Sequence, residues 1–197
     1  MATTVNSLQA QVSARFNDSS NTVFSAAEVK DYVRSSINGL YPRHYLLKTG
    51  TSVAGVGPIQ TAPANCSNIY YIGVQGAAST RVRQIRGWSE GSSGAIIPKL
   101  GINGLTLVWA WTAGWDAPAV DSDPTGTPHN AEEDILLRTQ ITCCERLLSD
   151  MVKLQKYLAV NARQGVNEID IGNTLDALHA SLEERRNHLR PLPEIRK

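Results

Sequence analysis

The apolar periodicity of this chain changes twice, and that change limits its fold more than any single motif. Near the start, Val5, Leu8, Val12 and Phe16 recur at helical spacing. From about residue 44 the pattern becomes alternating. It is clearest in "LTLVWAWT", where Leu105, Leu107, Trp109 and Trp111 share one face and Thr106, Val108, Ala110 and Thr112 the other. From about residue 130 helical spacing returns. Helical ends around a strand-rich middle predict an α+β fold: a helical body of about four helices with an inserted small antiparallel β-sandwich or barrel. The boundaries follow as 1–43 and 130–190 for the body, 44–118 for the insert, 119–129 for a Pro- and Asp-rich linker, and 191–197 for an extended tail.

The helical start is well signalled. The polar run "NDSSN" ends the first helix. Ser25 is a good N-cap with Glu28 three residues on, the capping-box spacing, and Phe24 and Val29 are placed for a hydrophobic staple. Val29, Val33, Ile37 and Leu40 line one face, and Gly39 and Pro42 close the helix. Two short helices with a tight connection predict a hairpin.

In the insert, residues 45–49, 68–76, 80–88 and 105–112 read as strands. "GAIIPKL" is a weaker candidate, placed at a sheet edge by Pro98. Asn103-Gly104 is a hairpin signal, and "GVGPIQ" and "GSSG" read as loops. Past the linker, Asn130 reads as an N-cap, with Glu132, Glu133 and Asp134 as a charged helix N-terminus in the first turn, where acids are favourable. Leu137, Ile141, Cys144, Leu148 and Met151 form a stripe that predicts one helix to Gln164. About 35 residues would span on the order of 50 Å, and such a helix must pack on several partners, within the chain or between chains. A last helix carries Ile171, Leu175, Leu178, Leu182 and Leu189.

Chemistry is harder to find. Nineteen Lys and Arg against eighteen Asp and Glu leave a net charge of +1, against wholesale coating of nucleic acid or an anionic membrane. The three cysteines, Cys66, Cys143 and Cys144, are no disulfide framework. The start has no signal-peptide pattern, and no apolar run reaches membrane-span length. His44, His129, His179 and His188 lie in different elements, none at metal-ligand spacing. Phosphate loops and nucleophile elbows do not occur. The residues therefore predict no enzyme and no cofactor. Interface or DNA contacts are expected at Arg81, Arg83 and Arg86, the insert's basic cluster, and at Trp88 and Trp115 at strand ends. Solvated arginines and core tryptophans are the plainer alternative, and a carbohydrate-binding face on the tryptophans a third.

The stretch "ARFNDSSNTVFSAAEVKDYVRSSINGLYPRHY" resembles the start of tailed-bacteriophage head-to-tail adaptor (connector) proteins. Arg15, Asp18, Phe24, Ser25, Glu28, Val29 and Tyr32 occupy that family's positions. Phe24 stands where Trp is frequent, and Ala26 where an acidic residue often follows the cap. The order of helices, paired strands, helices and tail is similar too. The resemblance implies a structural virion protein of the neck, made in the bacterial host cytoplasm. Such proteins form a ring, typically of twelve subunits, under the portal. They join head to tail and extend the channel, through which DNA passes without specific contacts. The implied partners are copies of the chain, the portal protein and the next neck or tail protein, with no membrane. The implied portal-docking tail is His188, Leu189, Arg190, Leu192, Ile195, Arg196 and Lys197. Another neck or tail-completion protein is the neighbouring alternative.

Overall fold

The computed structural model describes residues 3–63, 68–76, 81–91, 94–97, 104–163 and 170–187. The fold is α+β, with five helices and two antiparallel sheets among the described residues. It divides into two compact units: residues 1–44 with 115–190, and residues 45–114.

In the helical unit, α1 (Val5–Arg15) and α2 (Ala26–Asn38) form the expected hairpin. Asn17 and Asn21 take left-handed φ values of 55° and 54°, which Asn tolerates better than most residues. Between them the buried Asp18 carboxylate accepts backbone N–H groups from Thr22 (2.7 Å), Val23 (3.1 Å) and Phe24 (2.9 Å). These would otherwise be stranded donors ahead of α2. Only half of the expected capping box forms. Ser25 Oγ accepts from the Glu28 N–H (3.2 Å), but the Glu28 carboxylate turns away, to Tyr32 (2.7 Å) and Lys153 (2.6 Å). A complete box occurs instead at α1, between Thr4 and Ser7.

The expected single helix from 130 to 164 is two helices, α3 (His129–Ser149) and α4 (Met151–Arg163). Asp150 causes the break. Its backbone is extended (φ −126°, ψ 97°), and its Oδ1 accepts from the N–H groups of Val152 (3.1 Å) and Lys153 (3.2 Å), capping a new helix. The chain then folds back on the hairpin. Tyr157 meets Phe16 edge-on with centroids 5.9 Å apart, Lys153 lies 4.9 Å above the Phe24 ring, and Asn17 donates to Asn161 (3.0 Å). The apolar stripe divides accordingly. Cys144 and Leu147 join the hairpin core, Leu137 and Ile141 pack with Leu182 of α5 (Ile171–Asn187), and Leu148 and Met151 are left exposed.

Two boundaries also move. Residues 119–129 are a strap on the helical unit rather than a free linker. Pro124 bridges Thr4, the Thr125 N–H donates to Thr3 O (2.9 Å), and Asp121 pairs with Lys30 (3.0 Å) and Arg34 (2.5 Å). Trp115 and Ala117 pack on the helical core, so the β unit ends at Gly114. Asn130 is not the N-cap of α3. Pro128 holds that place, without a side-chain cap bond.

The β unit contains seven strands in two sheets. One is β1 (Leu46–Val53), β7 (Thr106–Ala113), β3 (Ile69–Gln75) and β4 (Val82–Gln84), in that spatial order. The other is β2 (Ile59–Thr61), β6 (Gly94–Ile96) and β5 (Ser89–Gly91). Both sheets contribute to one core of Ile69, Ile72, Trp88, Ala95, Leu107, Trp109 and Trp111. The period-two apolar alternation of β7 fits its central place between β1 and β3. Its Asn-Gly signal does not make a hairpin with the preceding strand: β6 lies in the other sheet, and Gly104 (φ +75°) leads into pairing with β1. β6 is also the middle strand of its sheet, not an edge, while Pro98 lies outside the described residues. The loop reading of "GVGPIQ" missed β2. Gln60, opposite Ala95, is buried there, and its side-chain amide bonds back to Gly55 and Gly57.

Candidate functional site

The acidic first turn of α3 is tied to other segments of the helical unit, with Asp134 buried and Glu132 and Glu133 partly exposed. Its three carboxylates fan out to three different segments. Glu132 accepts from the Thr3 hydroxyl. Glu133 accepts both Arg15 terminal nitrogens, at 2.9 and 2.7 Å, the paired geometry that planar guanidinium favours. Asp134 is 1% exposed; its Oδ2 lies 2.8 Å from His44 Nε2, and its Oδ1 accepts from Arg185 Nε. Burial alone would push the Asp134 carboxyl up. The hydrogen bonds and charges of His44 and Arg185 outweigh it and hold the group below the ordinary carboxylate range.

A buried His–Asp pair is also the orienting half of a nucleophilic triad. Here no hydroxyl or thiol bonds to His44 among the described residues, and the second donor to Asp134 is an arginine. The arrangement ties the end of the first helical segment to α3 and α5. Cys143 and Cys144 are buried; burial pushes the Cys143 thiol well up and Cys144 to about 11, so neither forms a reactive thiolate near neutrality. Among the described residues no cluster of His, Cys, Asp and Glu is fit to hold a metal ion. No described helix is long and apolar enough to cross a membrane.

Beside the Asp134 network, α2, α3 and α5 line an open cleft of about 350 Å³. Arg138 reaches into it from α3, opposite Ser35 and Gly39 of α2 and His179 of α5. Arg138 Nε is buried without a hydrogen-bond partner, and no carboxylate pairs with this guanidinium among the described residues. Burial and the neighbouring Arg43 charge lower its proton affinity, and Asp134 offsets them in part. The cleft went unread in the sequence because its residues come from three distant segments with no common motif.

The residues singled out from the sequence separate. Trp88 is 2% exposed in the β core, so its ring is no open platform for a sugar or a partner. Trp115 is half-buried against the helical core. For Trp88 the plainer alternative, a core tryptophan, holds. Arg81, Arg83 and Arg86 are exposed, with Arg83 on β4, an outer strand of its sheet. The proposed docking tail, His188 to Lys197, lies outside the described residues.

The surface also carries large apolar side chains. Leu148, Met151 and Val152, at the α3–α4 bend, are 51%, 64% and 61% exposed. In the β unit Leu47 and Val53 of β1 and Ile59 of β2 are exposed, on outer strands of their sheets. No protein-family model matches this chain, and a comparison with curated proteins finds no match.

Proposed function

We propose that this chain is a structural head-to-tail adaptor of a tailed phage, assembling in several copies as a ring under the portal. The observation that carries an assembly role is the apolar group at the α3–α4 bend. Three neighbouring large side chains, each more than half exposed, are costly to leave in water. Covering them in a subunit contact recovers roughly 25 cal/mol per Å². Exposed apolar residues on the outer strands of the β unit support the same reading, since such edges invite pairing unless another chain covers them. The bend at Asp150 removes the long helix as a reason for side-by-side packing, so the surface now carries that part of the case.

The neck assignment itself rests on the helical start. Asp18, Ser25, Glu28 and Tyr32, which carry the resemblance, each make a specific bond within the hairpin or its first turn. Joining head to tail would then be the work of the surfaces and the tail, with the hairpin as the frame. The carbohydrate alternative loses Trp88, whose ring is in the core.

The test is binding to the cognate portal by pull-down and negative-stain imaging. The full chain should decorate the portal, and a chain lacking residues 188–197 should not. Equal binding by both forms would remove the tail-docking assignment, and no binding by either would remove the adaptor reading.

A further inference from the structure

We propose that the cleft between α2, α3 and α5 is a binding site for a carboxylate carried on a short apolar body. The cleft holds a guanidinium, Arg138, that no carboxylate among the described residues neutralises. The nearby charges are already committed. Arg43 is paired with Glu183 at 2.7 Å, and Asp134 is saturated by His44 and Arg185. Arg138 therefore keeps its positive charge, half-buried and beside the Arg43 cation. An anion entering the cleft would relieve both penalties, and a carboxylate matches the planar fork of donors.

The surroundings favour that ligand. Gly39 lets Arg138 approach the backbone: a Cβ there would lie 3.2 Å from Nη1 and 3.2 Å from Ser35 O. The Thr139 hydroxyl donates to Ile135 O (2.8 Å), so the Ser36 hydroxyl is held by Thr139 Oγ1 (3.0 Å) and polar recognition in the cleft rests on Arg138. Ile141 and Leu182 form apolar wall, suited to a short aliphatic body rather than to a fully hydrated anion. A phosphate dianion would want several cations or a cluster of backbone N–H groups, and the lining offers one unpaired guanidinium. The carboxylate has two sources, a free short-chain acid or an acidic side chain of a protein. This inference is independent of the neck assignment.

Isothermal titration calorimetry of the full chain with butyrate, acetate, inorganic phosphate and the amide of N-acetyl-Leu-Glu tests it. Butyrate or the peptide should bind saturably, and acetate about tenfold more weakly than butyrate for want of two methylenes. Arg138→Gln should weaken binding about ten- to hundredfold, as loss of a charge-assisted pair does. Ser35→Glu, on exposed α2 surface, places a carboxylate at the cleft from within. It should abolish butyrate binding and raise Tm, so the test stands even if Arg138→Gln misfolds. Tighter binding of the peptide identifies a protein-borne carboxylate, and tighter binding of butyrate a free acid. No saturable binding of either by the wild type, phosphate binding more tightly than both, or binding untouched by Ser35→Glu would overturn the proposal.

Discussion

Replacing Asp134 by Ala should unsettle the helical unit more than any single change on its surface. The carboxylate is 1% exposed and holds His44 and Arg185 at once. Removing one partner of a buried ionic group costs about 3–5 kcal/mol, mostly because the other is left unpaired. One feature reduces that figure here: the Arg185 side chain is 37% exposed and free to turn to water. A cost of about 2–3 kcal/mol follows. For a chain of 197 residues it corresponds to a fall in Tm of about 5–10 °C. Circular dichroism at 222 nm during heating reads it, because the affected unit carries the helices.

The pH dependence gives a second handle on the same residue. The folded-state affinity of Asp134 for a proton is depressed, so it binds fewer protons folded than unfolded as the pH falls through the carboxylate range. Its contribution is therefore full above the unfolded pKa, about 3.9, and is lost as pH drops through the lower folded value. Wild type should lose stability over that acidic window, and the Asp134→Ala chain should lose less. A Tm change under about 2 °C at pH 7, or parallel acid profiles for the two proteins, would refute the view that this network holds the three segments together.

Other changes have outcomes as definite. Asp18→Ala strands the three N–H groups of the hairpin turn and should cost about 2–4 kcal/mol in urea denaturation. Gly94→Ala would place a Cβ 2.0 Å from Gln60 O, on backbone that cannot swing aside, so the β unit should lose about 3 kcal/mol or more, read by near-ultraviolet tryptophan signals. In a Cys66→Ser background, Cys143 and Cys144 should react with a thiol reagent only after unfolding, because burial keeps both protonated; rapid native labelling would contradict that.

Much of the helical start was legible because its signals are local. The Ser25 cap, the Val29–Val33–Ile37–Leu40 stripe and the Asp18 turn depend on residues a few positions apart. β7 was legible for the same reason, since alternation survives in a single strand. What failed depends on distance. β2 has three residues in a Gly-Pro context and exists through pairing with β6, more than thirty positions away. The break at Asp150 was hidden because apolar spacing runs on through Leu147 and Leu154, and an Asp on a helix surface is unremarked until its side chain turns to cap. Asp134 read as one acid of a charged helix N-terminus, since the first turn of a helix favours acids. Only the approach of His44 and Arg185 buries it. The Arg138 cleft had no sequence signal at all, because what distinguishes that arginine is that no described carboxylate pairs with it.

The measurement that bears most directly on the adaptor assignment is the mass of the purified chain in solution, alone and with its portal, by light scattering after size-exclusion chromatography. The expected result is a discrete multiple of the 21.4 kDa subunit, alone or on the portal, that falls toward the monomer when Leu148, Met151 and Val152 are all replaced by Ser. Those side chains are exposed, so the replaced protein should keep its wild-type Tm as a subunit. A chain that stays at 21.4 kDa under every condition, with or without the portal, would contradict the assignment.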